Sequence, residues 1–252
     1  RVTLVDPLPD PSRNAYSSAA LPLRDADRLA IPMQCRSAQW WGWQLLSPAE
    51  LNQQWWSRDA LGVVLDFAAF RSWLWEQTIQ AGVELLPGHR VRLLKLDSEK
   101  ARVRIEGLSG DLEDRLVSVV VDATGARRVL LRQAGVALDT PEHPLLTGEG
   151  SEWLLQGDDR STAPWRERLS FMLGSHWIPH GYGWIFPMRD HRLKVGVCRL
   201  APLVRRPAGL NAALQGLLHR SGLDNLPVLD RHGGQVSSTV NRREIPGSGA
   251  LR

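Results

Sequence analysis

Two short stretches hold residues whose types and spacing could do chemistry. In VVVDATGARRVLLRQAG an apolar run delivers Asp122, Ala123, Thr124 and Gly125 into a turn ahead of a helix. Small residues at the carboxyl end of a strand let a cofactor approach the backbone, while an acid and a hydroxyl beside them can hold its polar groups. The same four residues would also suit an ordinary strand-to-helix turn closed by an Asx or Ser/Thr cap, and the residues alone leave both readings open. In PHGYGWIFPMRDHRLKVGV an extended backbone puts Tyr182, Trp184 and Phe186 on one face at roughly 7 Å spacing, with Gly181, Gly183 and Ile185 on the other. The first face is an aromatic wall suited to an apolar ligand, and the second lets another group come close to the backbone. An aromatic core stripe is the bland alternative, weakened by the two glycines on the reverse face.

Other candidates carry less. His176 and His180 stand four apart, but Pro179 argues against the helix that a zinc pair would need, so no metal site is expected. The chain contains no HExxH, GxSxG or P-loop. Asp158-Asp159 reads as a solvated loop pair, and Cys198 in VGVCRL as a buried core thiol. No catalytic residue is singled out.

The elements that must position these residues can be read from periodicity. RVTLVDP begins with a strand that ends at Asp6, followed by a long irregular connection to about Met33. Ser47 with Glu50 three residues later predicts a short helix from about Pro48 to Trp56. FAAFRSWLWEQTIQAG, with Phe67, Phe70, Leu74 and Ile79 near helical spacing, predicts a longer one stopping at Gly82. VELL, HRVRLLKL and ARVRIEG read as strands, the last half-buried and antiparallel, whereas VSVVVDA reads as a strand covered on both faces. Leu138 to Arg166 is rich in Pro, Gly and acids. Strands return in RLSFMLGS, HGYGWIFPM and RLKVGVCRL, followed by a helix near Gly209 to Ser221 and a last strand, GQVSSTV.

The expected fold class is therefore mixed α/β: an incomplete Rossmann-like nucleotide-binding layer with an inserted antiparallel sheet. Residues 1–137 are assigned to the cofactor part, 138–235 to an antiparallel substrate domain and 236–252 to a return strand. An apolar fraction of 43% over 252 residues supports a sizeable core, and a net charge of +4 with dispersed arginines gives no nucleic-acid footprint. Two distant cysteines, no signal peptide and no membrane-length apolar run lead to a reduced, cytoplasmic setting as the expectation. Eleven tryptophans against two tyrosines suit a long apolar or aromatic ligand.

The acid-terminated strand, the DATG turn and Pro179-x-x-Tyr182-x-Trp184-x-Phe186-Pro187 followed by KVGV resemble the geranylgeranyl reductase family of FAD-dependent oxidoreductases, over nearly the whole chain. That family shares the glutathione-reductase-type FAD fold of aromatic hydroxylases, lycopene cyclases and flavin halogenases. The resemblance implies that Asp6 hydrogen-bonds the adenosine ribose, that the Val91 backbone meets the adenine, and that Asp122, Ala123, Thr124 and Gly125 contact flavin. It also implies that Tyr182, Trp184 and Phe186 line an isoprenoid cavity. The implied reaction is reduction of alkene bonds in a prenyl chain or other apolar polyene, with NAD(P)H or another reductant as electron donor and peripheral membrane contact as an expectation. Hydroxylase, halogenase or cyclase chemistry on the same fold, or a non-catalytic protein that binds an apolar ligand, are the alternatives. The tryptophan-rich GWxWxIP expected of halogenases differs from Tyr182 and Phe186 here.

Departures from the family are specific. GxGxxG, expected about 20 residues before the acid, does not occur, nor does a Gly-Asp flavin segment. Both are expected outside residues 1–252, and FAD binding by these residues alone is expected to be weak. NAYSSAALP replaces the family's cysteine-containing stretch, so no catalytic cysteine is carried over to Cys35. Asp66-Phe67 stands where many relatives open a helix with arginine.

Overall fold

The β-branched and aliphatic runs form strands bounded by Gly, Pro and Asp residues. In chain order the strands are β1 (Thr3–Asp6), β2 (Ala20–Pro22), β3 (Arg36–Trp40), β4 (Gly42–Leu46), β5 (Asn52–Trp56), β6 (Gly62–Leu65), β7 (Glu84–Pro87) and β8 (His89–Leu96). They continue as β9 (Ala101–Gly107), β10 (Leu112–Val117), β11 (Leu145–Gln156), β12 (Arg168–Leu173), β13 (Gly181–Met188), β14 (Arg192–Ala201) and β15 (Val228–Thr239). The helices are α1 (Leu23–Arg28), α2 (Phe67–Gln80), α3 (Val129–Gln133), α4 (Asp159–Thr162) and α5 (Leu210–Arg220). The computed structural model describes residues 1–13, 17–47, 52–136, 145–201, 209–239 and 249–251.

The chain divides into two units, one of residues 1–14, 74–147 and 236–252, the other of residues 15–73 and 148–235. In the first, β1 and β7 pair in parallel with Asp6 opposite Pro87, and β8, β9 and β10 form an antiparallel sheet. The Glu84 carboxylate joins the two: it accepts from the Thr3 hydroxyl at 2.8 Å and from Arg115 Nη1 of β10 at 2.6 Å. Arg115 also holds Glu113. Leu130, Leu131 and Leu251 are buried here, with Val91 and Val120 packed against them.

The second unit is built on a seven-stranded sheet of order β15-β11-β14-β13-β12-β4-β5, with a three-stranded sheet of order β2-β6-β3. One face of the large sheet is closed by α5, whose Leu214, Leu217 and Leu218 pack with Met172, Ile185, Leu193, Val195 and Val197. On the other face Trp184, Phe186, Leu169 and Met188 pack with Trp40 and Val64 of the small sheet. Ala26, Ile31, Cys35, Val63 and Leu65 form a separate core, with Phe70 and Trp73 of α2 against it.

Several expectations are corrected. Residues 15–73, assigned by sequence to the cofactor part, group with residues 148–235, because β4 lies parallel beside β12. That pairing also makes the large sheet mixed rather than antiparallel; a parallel neighbour needs a long crossover, and the chain between β4 and β12 supplies it. Asn52–Trp56, expected to finish a helix, is a strand, since pairing of Trp55 with Trp43 outweighs the local capping signal. The proposed cap partner Glu50 lies outside the described residues. VSVVVDA is not covered on both faces: Val119 and Val121 are exposed, and Val120 makes one isolated parallel bridge, to Leu251. The long connection after Asp6 contains β2 and α1, and the acid-rich stretch before Arg166 contains β11. In α2 the helix forms as expected, but Leu74 and Ile79 are exposed.

Candidate functional site

The aromatic wall forms as period-two geometry requires. On β13, Tyr182, Trp184 and Phe186 share one face, and the tilted Tyr182 and Trp184 rings lie 5.8 Å apart. On the reverse face Gly183 meets α5, where a Cβ would fall 2.3 Å from Leu217 Cδ1. The neighbouring strands extend the wall. Phe171 of β12, opposite Trp184, lies 5.3 Å from Phe186 and 6.2 Å from Tyr182, and it stacks on Trp43 of β4 at 5.6 Å. Trp40 meets Trp43 edge-on at 4.8 Å. Trp55 on the edge strand and Trp43 beside it are 48% and 36% exposed and Tyr182 41%, whereas Trp184 and Phe186 are buried at 9% and 5%.

Beyond Trp184 the wall ends in buried charge. Glu152 of β11 accepts from Trp184 Nε1 at 2.7 Å, and its other oxygen lies 2.9 Å from His232 Nε2 and 4.0 Å from Lys194 Nζ. Burial pushes the Lys194 ammonium below its ordinary pKa, opposed by the charges of Glu152, Asp66 and Asp230. Cys198, expected as a buried core thiol, is half-buried beside Tyr182 on the wall face and packs against the edge of the Trp184 and Phe186 core. Burial, with the Cys198 charge and hydrogen bond adding to it, pushes the Tyr182 hydroxyl up to about 12, so it keeps its proton at neutral pH. The wall therefore offers rings and two neutral groups to whatever lies on it.

The cofactor residues named from sequence all fall in the other unit. Asp6 closes β1, and its Oδ1 accepts from Leu8 N–H at 3.0 Å. Val91 sits in β8 opposite Ile105, its side chain against the Leu130 cluster. Asp122 works inward: Oδ1 accepts from the Thr124 hydroxyl at 2.6 Å and Thr124 N–H at 3.0 Å, and Oδ2 from Leu130 and Leu131 N–H at 3.0 and 2.9 Å. Burial alone would raise its pKa, but the Thr124 hydroxyl and these backbone donors together hold it below the ordinary carboxylate range. The Thr124 hydroxyl in turn accepts from Val129 N–H at 2.7 Å. The structure shows the turn capping α3 through Asp122 and Thr124, and leaves Ala123, Thr124 and Gly125 exposed. Gly125 has φ +68°, and nothing lies within 4 Å of where its Cβ would be. The backbone at Gly125 is therefore open to close approach, with Asp122 supporting the turn from within.

Sequence reasoning missed Phe171, which joins the wall through the antiparallel β12–β13 pair, Trp43, which joins it through the parallel β4–β12 pair, and Glu152 and His232. GEGSEWLLQ did hold a signal for Glu152, an acid set directly against an apolar run. A concavity of about 520 Å³, lined by Leu46, Trp165, Arg160 and Arg220 among others, touches none of these residues.

No family model matches the chain. Over 142 residues it is 28% identical to a digeranylgeranylglycerophospholipid reductase of Methanosarcina mazei, a match covering 56% of this chain and 33% of that enzyme. A geranylgeranyl bacteriochlorophyll reductase-like protein of Thermoplasma acidophilum has the same fold over 99% of this chain and 63% of its own, with a TM-score of 0.81 at 18% identity. A triple mutant of the flavin-dependent brominase Bmp2 matches over 98% of this chain and 64% of its own, with a TM-score of 0.71 at 13% identity. The chain thus spans about a third of the curated relative. It resembles reductases of this type, and its fold, mixed α/β throughout, is one that flavin-dependent enzymes share.

Proposed function

We propose that this chain forms part of an FAD-dependent oxidoreductase that saturates alkene bonds of a prenyl chain or similar apolar polyene. The observation that carries this reading is the continuous ribbon of Trp43, Phe171, Tyr182, Trp184 and Phe186 on one sheet face. A hydrocarbon laid on such a surface loses its water and is held by the ring faces. In the cofactor unit, Asp6 would hold the adenosine ribose and the exposed backbone at Ala123, Thr124 and Gly125 would meet the flavin. Bound FAD, once reduced by NAD(P)H or another donor, supplies the hydride. The wall's part is to align the chain and exclude water. Among the described residues no helix is long and apolar enough to cross a membrane.

The test uses the full-length protein loaded with FAD, reduced without oxygen and given a geranylgeranyl lipid. A mass gain of two hydrogens per saturated bond is the expected result, and NAD(P)H consumption identifies the donor. Trp184→Ala should lower prenyl turnover by at least roughly tenfold and leave flavin content unchanged. No mass gain, with halide-dependent modification of an aromatic acceptor instead, would overturn the reductase reading in favour of brominase-like chemistry.

A further inference from the structure

Glu152 is the least expected residue on the aromatic face. Its side chain is 5% exposed, beside Lys194 at 4% and His232 at 5%. Burying a carboxylate costs several kcal/mol after relaxation unless it is well paired, and an apolar residue of similar size would fill the same space without that cost. Here the carboxylate is engaged from three strands. Trp184 of β13 donates to Oε2, His232 of β15 sits against Oε1, and Lys194 of β14 neutralises the charge while donating to the Ser17 carbonyl. His232 is itself held from behind, its Nδ1 3.4 Å from Asp230 Oδ2.

A carboxylate so placed adds direction. The indole lies over Gly196 of β14, where a Cβ would come within 2.2 Å of its ring, and the hydrogen bond to Glu152 fixes which way its N–H edge points. Trp184 is also the ring bonded directly to the ion cluster, so its position decides where the apolar surface meets Glu152. An alkyl chain cannot advance past it without stripping water-free charges of their partners.

We propose that Glu152 is a positioning residue, holding Trp184 as the closed end of the wall and thereby setting how long a prenyl chain the site accepts. The inference rests on the reading of the wall as the substrate surface. Its test compares geranyl, farnesyl and geranylgeranyl substrates on the full-length FAD-loaded enzyme. Glu152→Leu should shift the ratio of kcat/KM between the longest and shortest substrates by about tenfold, the scale at which a pocket senses a methylene-sized change. The shift should arise mainly in KM. Glu152→Gln, which keeps an acceptor for the indole, should restore the parent ratio to within about twofold. Trp184→Phe removes the donor while keeping Glu152, Lys194 and His232 in place, and should give the same shift even where Glu152→Leu folds poorly; combined with Glu152→Gln it should add nothing further.

A second readout needs no substrate. The Trp184 indole N–H, identified by its loss in Trp184→Phe, should exchange with deuterium slowly in the parent and in Glu152→Gln, and rapidly in Glu152→Leu. A parent that saturates no prenyl chain yet shows this exchange pattern would refute the proposed reaction and leave the lock standing. An unchanged length preference in both Glu152→Leu and Trp184→Phe, or equally slow exchange in every variant that retains Trp184, would overturn the role of Glu152.

Discussion

Both carboxylate oxygens of Asp122 point at the chain's own N–H groups, and this divides the labour of the DATG turn. The acid and the Thr124 hydroxyl satisfy the first N–H groups of α3, which would otherwise lack partners, while the small residues after it stay open to a ligand. Asp122→Ala should therefore cost about 2 kcal/mol of stability, the sum expected for a lost cap and a charged acceptor, and Asp122→Asn less. Chemical denaturation of the three proteins at neutral pH measures this directly; equal midpoints would mean that the turn is held by other contacts. The pH dependence has a definite sign. The Asp122 carboxyl lies below its ordinary value of 3.8 in the folded state, so its contribution is present above that value and fades as pH falls through the folded value. The difference between parent and Asp122→Ala should shrink on acidification. Val91 and Asp6 divide differently: Val91 gives its side chain to the core, and Asp6 gives one oxygen to Leu8 while closing its strand.

Among the elements, the pairing of β13 with β14 does most to shape the candidate site, and it depends on glycines that face bulky neighbours. Gly196 lies opposite Trp184 and leaves room for the indole to lie flat. A methyl group there would meet the ring at 2.2 to 2.8 Å, so Gly196→Ala must move either Trp184 or the strand. The expected loss is roughly 1–3 kcal/mol, as for other overpacked cores, together with a weakened Trp184–Glu152 bond seen as faster indole exchange. A variant as stable as the parent with the indole still protected would contradict the packing described. Such glycines also explain what could be read from sequence. The alternation Gly181, Gly183 against Tyr182, Trp184, Phe186 is local to one strand, and period two alone assigns its faces. Phe171 follows from β12 pairing with the next strand, β13, but the extension to Trp43 depends on β12 pairing with β4, more than 100 residues away in sequence, and no local pattern encodes such a partner. Glu152 was obscured for the same reason, because its partners come from β13, β14 and β15. The helix expected at Pro48 to Trp56 failed where an edge strand borrowed its order from a neighbour, and local propensity lost to cross-strand aromatic pairing.

At the scale of the whole molecule the two units are held by different physics. All tryptophans except Trp75 lie in residues 15–73 and 148–235, where the aromatic face and the α5 core are packed. The other unit relies more on carboxylates whose pKa is depressed by specific donors: Asp10, Glu84, Glu113, Asp114 and Asp122. Glu84 is the strongest case. Hydrogen bonds from Arg115 first and Thr3 second bring its carboxyl down to about 2, from an ordinary value of 4.5. A depressed folded pKa means stability that is complete above 4.5 and is lost as pH falls toward 2. These groups are largely solvated, so each contributes modestly, but Glu84 and Glu113 act together through Arg115 at the junction of β1, β7 and β10. Acid should therefore loosen this unit before the other, and unfolding should depart from two-state behaviour. Between pH 5 and 2.5, about the window set by these carboxylates, far-UV circular dichroism should begin to change before tryptophan emission shifts, since emission reports almost entirely on the aromatic unit. Arg115→Ala should move the first transition to higher pH and leave the emission transition in place. Coincident transitions in the parent, or an equal displacement of both in Arg115→Ala, would show that the two units lose their structure as one.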